Sequence, residues 1–119
     1  MTIEYRVPIP GGEVATRTSR AHRIEGDHYR CIAVHAGKAI SWHRHQMHAA
    51  ASIQAHRTSL NTALAWRMKE RTTGDIRDRA ENEARIEVLR ALLLAESAIV
   101  QIGLDHMREP KATARGGKR

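Results

Sequence analysis

The chain has 119 residues, 41% hydrophobic and 28% charged, with 20 Lys plus Arg against 13 Asp plus Glu. That is enough for one domain with a modest core and too apolar for a fully disordered chain, and no run approaches the roughly 20 apolar residues of a membrane span. Met1-Thr2-Ile3-Glu4-Tyr5-Arg6 lacks the basic-then-apolar layout of a signal peptide, and the single Cys31 closes no internal disulfide, so a cytoplasmic protein without a membrane partner is expected.

Ile3, Tyr5, Val7 and Ile9 alternate with Glu4, Arg6, Pro8 and Pro10, the period of a half-buried strand. Proline cannot donate to a sheet ladder, so this strand is expected at an edge. Gly11-Gly12 supplies a turn, and Glu13 to Ser19 returns as a second strand. Tyr29 to Ala36 reads as a third, and Gly37-Lys38 turns the chain into a short fourth, Ala39 to Trp42. The segment 1–42 is therefore expected to be an antiparallel meander that needs a helical face to cover it.

Two helices are expected next. The first, over 43–71, places Met47, Ala50, Ile53, Leu60, Leu64 and Met68 on one side at helical spacing. Thr72-Thr73-Gly74-Asp75 breaks it, with Gly74 suited to a C-terminal cap and Thr73 or Asp75 to the next N-terminal cap. The second helix is expected over 76–106, charged in its first half and apolar nearly all round in its second. Ala84, Val88, Leu92, Ala95 and Ile99 would form one stripe, and Ile86, Leu89, Leu93, Val100 and Leu104 another. One surface cannot bury both, so a homodimer through Leu89, Leu93, Val100 and Leu104 is expected. Residues 1–108 then form a single domain, and 109–119 a disordered basic tail.

Phe is absent, so Ile, Leu, Val, Met and Ala must build the core. The formal charge of +7 is uneven: 42–74 carries five basic groups against one acidic, 75–107 four against seven, and the tail 108–119 five against one. A basic helix followed by an acidic one is the expectation.

Chemistry is sparse. His45 and His48 stand three apart, a spacing that can chelate Zn²⁺, but no cysteine is near, and Glu70 is the only acid between 42 and 74. Solvated histidines on a basic face are the plainer reading, so neither a metal nor a cofactor is expected. No Gly-x-Ser-x-Gly, Walker loop, His-Glu-x-x-His or Gly-x-Gly-x-x-Gly occurs, and Cys31 sits in a strand, where a buried thiol is inert. No enzyme is expected.

The basic residues are more suggestive. Arg17, Arg20 and Arg23 cluster with Ser19, Thr18 and His22, while Arg44, Arg67, Lys69 and Arg71 lie along the first helix and Arg115 in the tail. Arginine forks with hydroxyl neighbours suit phosphate. Tyr5, Tyr29, Trp42 and Trp66 are scattered in sequence, so no stacking set is visible and base readout has no evident agent.

Tyr5-Arg6-Val7-Pro8, then Gly11-Gly12-Glu13-Val14-Ala15-Thr16-Arg17-Thr18-Ser19, an Ile-Ala-Val strand and Ser41-Trp42-His43 resemble small uncharacterised proteins of actinobacterial phages and prophages. The resemblance covers the first third of the chain and implies a mobile-element origin; it assigns no functional residue. Together these readings give an α+β fold, a small antiparallel sheet followed by a helical hairpin. The function expected is that of a non-catalytic accessory protein binding nucleic acid or a nucleoprotein complex through phosphate. The alternative is an inhibitor or adaptor that docks its hairpin on a host or phage protein.

Overall fold

In the computed structural model, which describes residues 2–20, 28–71 and 76–109, the opening period-two run is a strand. β1 (Ile3–Pro8) buries Ile3, Tyr5 and Val7 and turns Arg6 and Pro8 outward. Gly11 and Gly12, both at positive φ, lead into β2 (Val14–Ser19), paired antiparallel from Ile3↔Ser19 to Pro8↔Val14. β3 (Cys31–His35) and β4 (Lys38–His43) form a second hairpin across Ala36, at φ 54°, and Gly37, at φ 75°. Two successive residues in the left-handed region give a turn whose twist matches its strands. Gly11 has a second constraint: a Cβ there would stand 3.1 Å from the Gly37 Cα, so the two hairpin turns touch backbone to backbone.

The architecture is α+β, with antiparallel strands and a packed pair of helices. The four N-terminal strands do not form one meander, however. They divide between two three-stranded sheets, ordered β2-β1-β6 and β4-β3-β5. The third strand of each arrives from beyond the helices: β5 (Ser97–Gln101) pairs with β3, and β6 (Met107–Arg108) with β1. β1 is thus central, not at an edge. Its proline is tolerated because β6 meets only Glu4 and Tyr5, which leaves the Pro8 end with a partner on one side.

α1 (Gln46–Lys69) lies within the expected 43–71, but α2 (Ile76–Leu94) stops well short of residue 106. The apolar stretch read as its second half becomes β5. β3 is buried along its whole length, so its second edge needs the hydrogen bonds of another strand, and the β-branched pair Ile99-Val100 suits that role. A short all-apolar run fits a buried helix or a buried strand equally, and distant pairing decides.

The β4-β3-β5 sheet is the middle layer. Ile32 and Val34 face the other sheet and join Ile3, Tyr5, Val7, Ile9 and Ala15 in the main core. Cys31 and Ala33 face α1, where they meet Ala49, with Ile40, Ile53 and Ile99 around them. Small side chains at 33 and 49 let the helix lie close to the sheet. Burial of each large side chain contributes roughly 1.5–3 kcal/mol, so the inter-sheet core dominates.

The inward face of α1 is rotated from the expected stripe. Ala49 is buried and Ile53, Leu60 and Leu64 are half-buried, while Met47 (71% exposed), Ala50 and Met68 face solvent. The N-terminal half of α1 lies on the sheet through Ala49 and Ile53, and its C-terminal half packs along α2. The two helices are joined by Asn82 donating to the Arg67 carbonyl at 2.9 Å, by Arg71 gripping Glu83 with both its Nε and Nη2, and by the buried Ile86. α2 carries four basic and four acidic groups, so the expected acidic helix is neutral; Glu96 and Asp105 lie beyond its end. The expected caps at 72–75 and the tail from Pro110 fall outside the described residues.

Candidate nucleic-acid interface

The two sheets bring Tyr5, Tyr29 and Trp42 together, although 24 and 37 positions separate the last two from the first. Their ring centroids lie 5.6 Å (Tyr5–Tyr29), 5.6 Å (Tyr5–Trp42) and 6.0 Å (Tyr29–Trp42) apart, each pair edge to face. Such pairs contribute about 0.5–1.5 kcal/mol beyond their area. Tyr5 is fully buried and its hydroxyl accepts the Tyr29 backbone N–H at 3.1 Å, while Tyr29 and Trp42 are half-buried. Burial raises the Tyr5 hydroxyl above its ordinary pKa; the Tyr29 hydrogen bond and the positive charges of Arg17 and Arg44 act the other way.

Arg17 stands opposite Tyr5 in the β1–β2 register. Its guanidinium lies over the Tyr29 ring at 4.8 Å and the Trp42 ring at 6.0 Å. That contact fixes the fork of an exposed arginine. Arg20 follows the end of β2, within about 10 Å of extended chain, and Arg44 follows β4; both are exposed. The acids of the β1–β2 hairpin are engaged by other cations, Glu4 by Arg6 and Arg108, and Glu13 by Lys38. Among the described residues, Arg17 and Arg44 are both close enough to act on the Tyr5 hydroxyl, and with Arg20 they bring positive charge to this part of the sheets.

The remaining expected residues are elsewhere. Arg67, Lys69 and Arg71 stand at the far end of α1, about 35 Å or more along the helix from Arg44, too far to share a compact site. Arg67 lies over Trp66 at 5.1 Å and donates to the Asn82 side chain at 3.3 Å. Arg71 holds Glu83 at 2.6 Å; their hydrogen bond raises the arginine and lowers the glutamate. Arg23 and Arg115 lie outside the described residues. The aromatic cluster was missed at sequence level because it joins three segments. One signal was present: a turn centred on Gly11-Gly12 already sets Arg17 across from Tyr5.

The expected dimer stripe is not a stripe. Leu89 and Leu93 are half-buried on α2, Val100 packs in the main core from β5, and Leu104, 73% exposed, lies in a short 3₁₀ turn. The end of α2 forced this separation. Instead, Ala63, Ala84, Val88 and Leu89, rimmed by Arg67, Glu81 and Arg85, line a groove of about 400 Å³ between the helices.

The histidines divide into two polar networks. The His43 Nε2 lies 2.7 Å from the Ser41 hydroxyl, which lies 2.6 Å from that of Ser52. Burial, then the nearby His48, holds the His43 ring below the ordinary histidine pKa. His45 and His48 stack edge to face at 5.6 Å, yet among the described residues no three His, Cys, Asp or Glu side chains are placed to hold a metal. Sequence reading did not single out His35. It is buried, its Nε2–H donates to the Leu92 carbonyl at 2.6 Å, and its Nδ1 shares a hydrogen bond with Ser97 at 2.6 Å. Arg57 donates to the Leu93 carbonyl at 3.0 Å, so two side chains cap the C-terminal end of α2 where the chain turns into β5. Cys31 is buried in β3, and burial pushes its thiol up, away from reactivity.

No helix among the described residues is long and apolar enough to cross a membrane. Comparison with protein-family models, curated proteins and solved structures finds no match to this chain.

Proposed function

We propose that this is a non-catalytic accessory protein of a mobile element, which binds nucleic acid or a nucleoprotein complex mainly through phosphate contacts made by the basic edge of the sheets. The observation that carries the reading is the exposed Arg17 guanidinium, held over Tyr29 and Trp42, with the charge of Arg44 acting on the same Tyr5 hydroxyl. A fork already fixed by aromatic faces loses little rotamer freedom when it meets a phosphate, so more of the charge-assisted hydrogen bond survives as affinity. The overall +7 charge strengthens long-range attraction to a polyanion.

The test is fluorescence anisotropy with a labelled oligonucleotide across a salt series. Affinity should fall steeply with salt, and Arg17→Ala or Arg44→Ala should each reduce the log–log slope by about one. Lys69→Ala, at the far end of the hairpin, should leave it unchanged. A flat salt profile contradicts the reading.

A second reading, docking of the hairpin on a host or phage protein, is favoured by the apolar groove of Ala63, Ala84, Val88 and Leu89. The same groove, not the Leu93–Val100–Leu104 set, is where a homodimer would pair. Binding there would respond little to salt.

A further inference from the structure

We propose that the nucleic acid this protein takes is single-stranded, with its bases stacking on Trp42 and Tyr29 while Arg17 and Arg44 hold the flanking phosphates. The inference rests on the preceding reading and adds the class of ligand to it.

Three observations lead there. Tyr29 and Trp42 are half-buried, and each is anchored edge to face on the fully buried Tyr5. Anchoring matters because a ring held on one side loses no freedom when a base lies against the other. Next, the cation that covers these rings is a surface arginine on β2, with Tyr29 at 4.8 Å and Trp42 at 6.0 Å. Its guanidinium is flat and weakly hydrated, so from its place over the rings its edge can meet a phosphate while its outer plane stacks on an incoming base. Finally, β2 is an edge strand among the described residues: Ala15 is its buried residue, and Thr16, Arg17 and Thr18 are exposed. The aromatic shelf therefore lies beside a sheet edge of the described residues, and an extended chain is the ligand shape that suits an edge.

A duplex encloses its bases and offers this shelf only phosphate. A single strand offers phosphate and unstacked bases, so only a single strand uses the aromatic rings as well as the arginines.

The experiment uses the full chain carrying Trp66→Phe, which removes the exposed hairpin tryptophan and leaves Trp42 as the sole indole reporter. A twelve-nucleotide single strand and its matched duplex are titrated at equal salt, following intrinsic fluorescence and, in parallel, anisotropy. The expected result is quenching of Trp42 by the single strand and not by the duplex, with the single strand bound at least about tenfold tighter, the equivalent of one stacked base. Tyr29→Leu keeps an apolar side chain beside Tyr5 and the backbone N–H to its hydroxyl, and should weaken the single strand by about tenfold more than the duplex, which loses only the ring beneath Arg17. Equal affinity for the two ligands, or single-strand binding without quenching, overturns the stacking proposal and leaves the phosphate reading standing. Absence of binding to either ligand at low salt overturns both.

Discussion

In the sheets, β3 buries all five of its residues; in the hairpin, α1 spends 24 residues to bury Ala49 alone. The contrast separates two kinds of stability. The sheets are held by pairings between distant parts of the chain, with residues 31–35 against 97–101 and residues 4–5 against 107–108. The hairpin is held by helix propagation, one buried isoleucine and a few side-chain bonds at its seam. Loss of one strand should therefore damage both sheets together, whereas most changes on α1 should pass unnoticed.

The largest expected effect follows from chain length. Ending the chain after Glu96 removes β5 and β6, one strand from each sheet, and should abolish cooperative unfolding of the sheets while helical circular dichroism persists. Ending it after Glu109 removes only the basic tail and should leave the melting profile unchanged. Equal tolerance of the two truncations would break the comparison.

Next in size, Ile32→Ala removes a fully buried side chain from the inter-sheet core and should cost about 2–5 kcal/mol in denaturant unfolding. Met47→Ala, on the exposed side of α1, should stay within about 0.5 kcal/mol. His35→Ala should fall between them, at about 1–3 kcal/mol, because the Leu92 carbonyl and Ser97 hydroxyl lose their partner at the junction of the two regions. Hydrogen exchange would locate the loss at residues 92–101.

The smallest effect is a pH dependence. The folded state holds the His43 ring below its ordinary pKa, through burial first and His48 second, so the unfolded chain takes up the proton more readily. Stability from this site is thus complete above about pH 6.5 and is lost as pH falls below that value. His43→Gln can still meet Ser41 and should shallow the decline on the acid side. An identical decline in both proteins would assign it to other histidines.

Residues that interact with near neighbours were legible in the sequence. The alternation of Ile3, Tyr5 and Val7, both glycine turns, the burial of Cys31 and the position of α1 all follow from local pattern. What escaped depends on contacts across many residues. Nothing local to Ser97–Gln101 says that β3 lacks a second partner, so local pattern extends the helix through this apolar run and, with it, the Leu89–Leu104 stripe. The rotation of α1 escaped for a related reason: Ala49, a small residue with a weak hydrophobic signal, is the one the sheet selects for close approach. The arginines of the candidate site were visible as charge, but the rings that fix Arg17 meet only when two sheets stack. Charge alone also joined Arg44 to Arg67, Lys69 and Arg71, which the length of α1 keeps apart.

Whether recognition belongs to the sheets or to the hairpin is settled most directly by amide chemical shifts of the full chain, recorded while a single-stranded oligonucleotide is added at low salt. Binding at the aromatic edge should move the signals of Arg17, Tyr29, Trp42 and Arg44 and leave residues 60–69 and 80–94 in place. Shifts concentrated along Ala63, Ala84, Val88 and Leu89, with the Arg17 edge silent, would contradict it and give recognition to the hairpin groove.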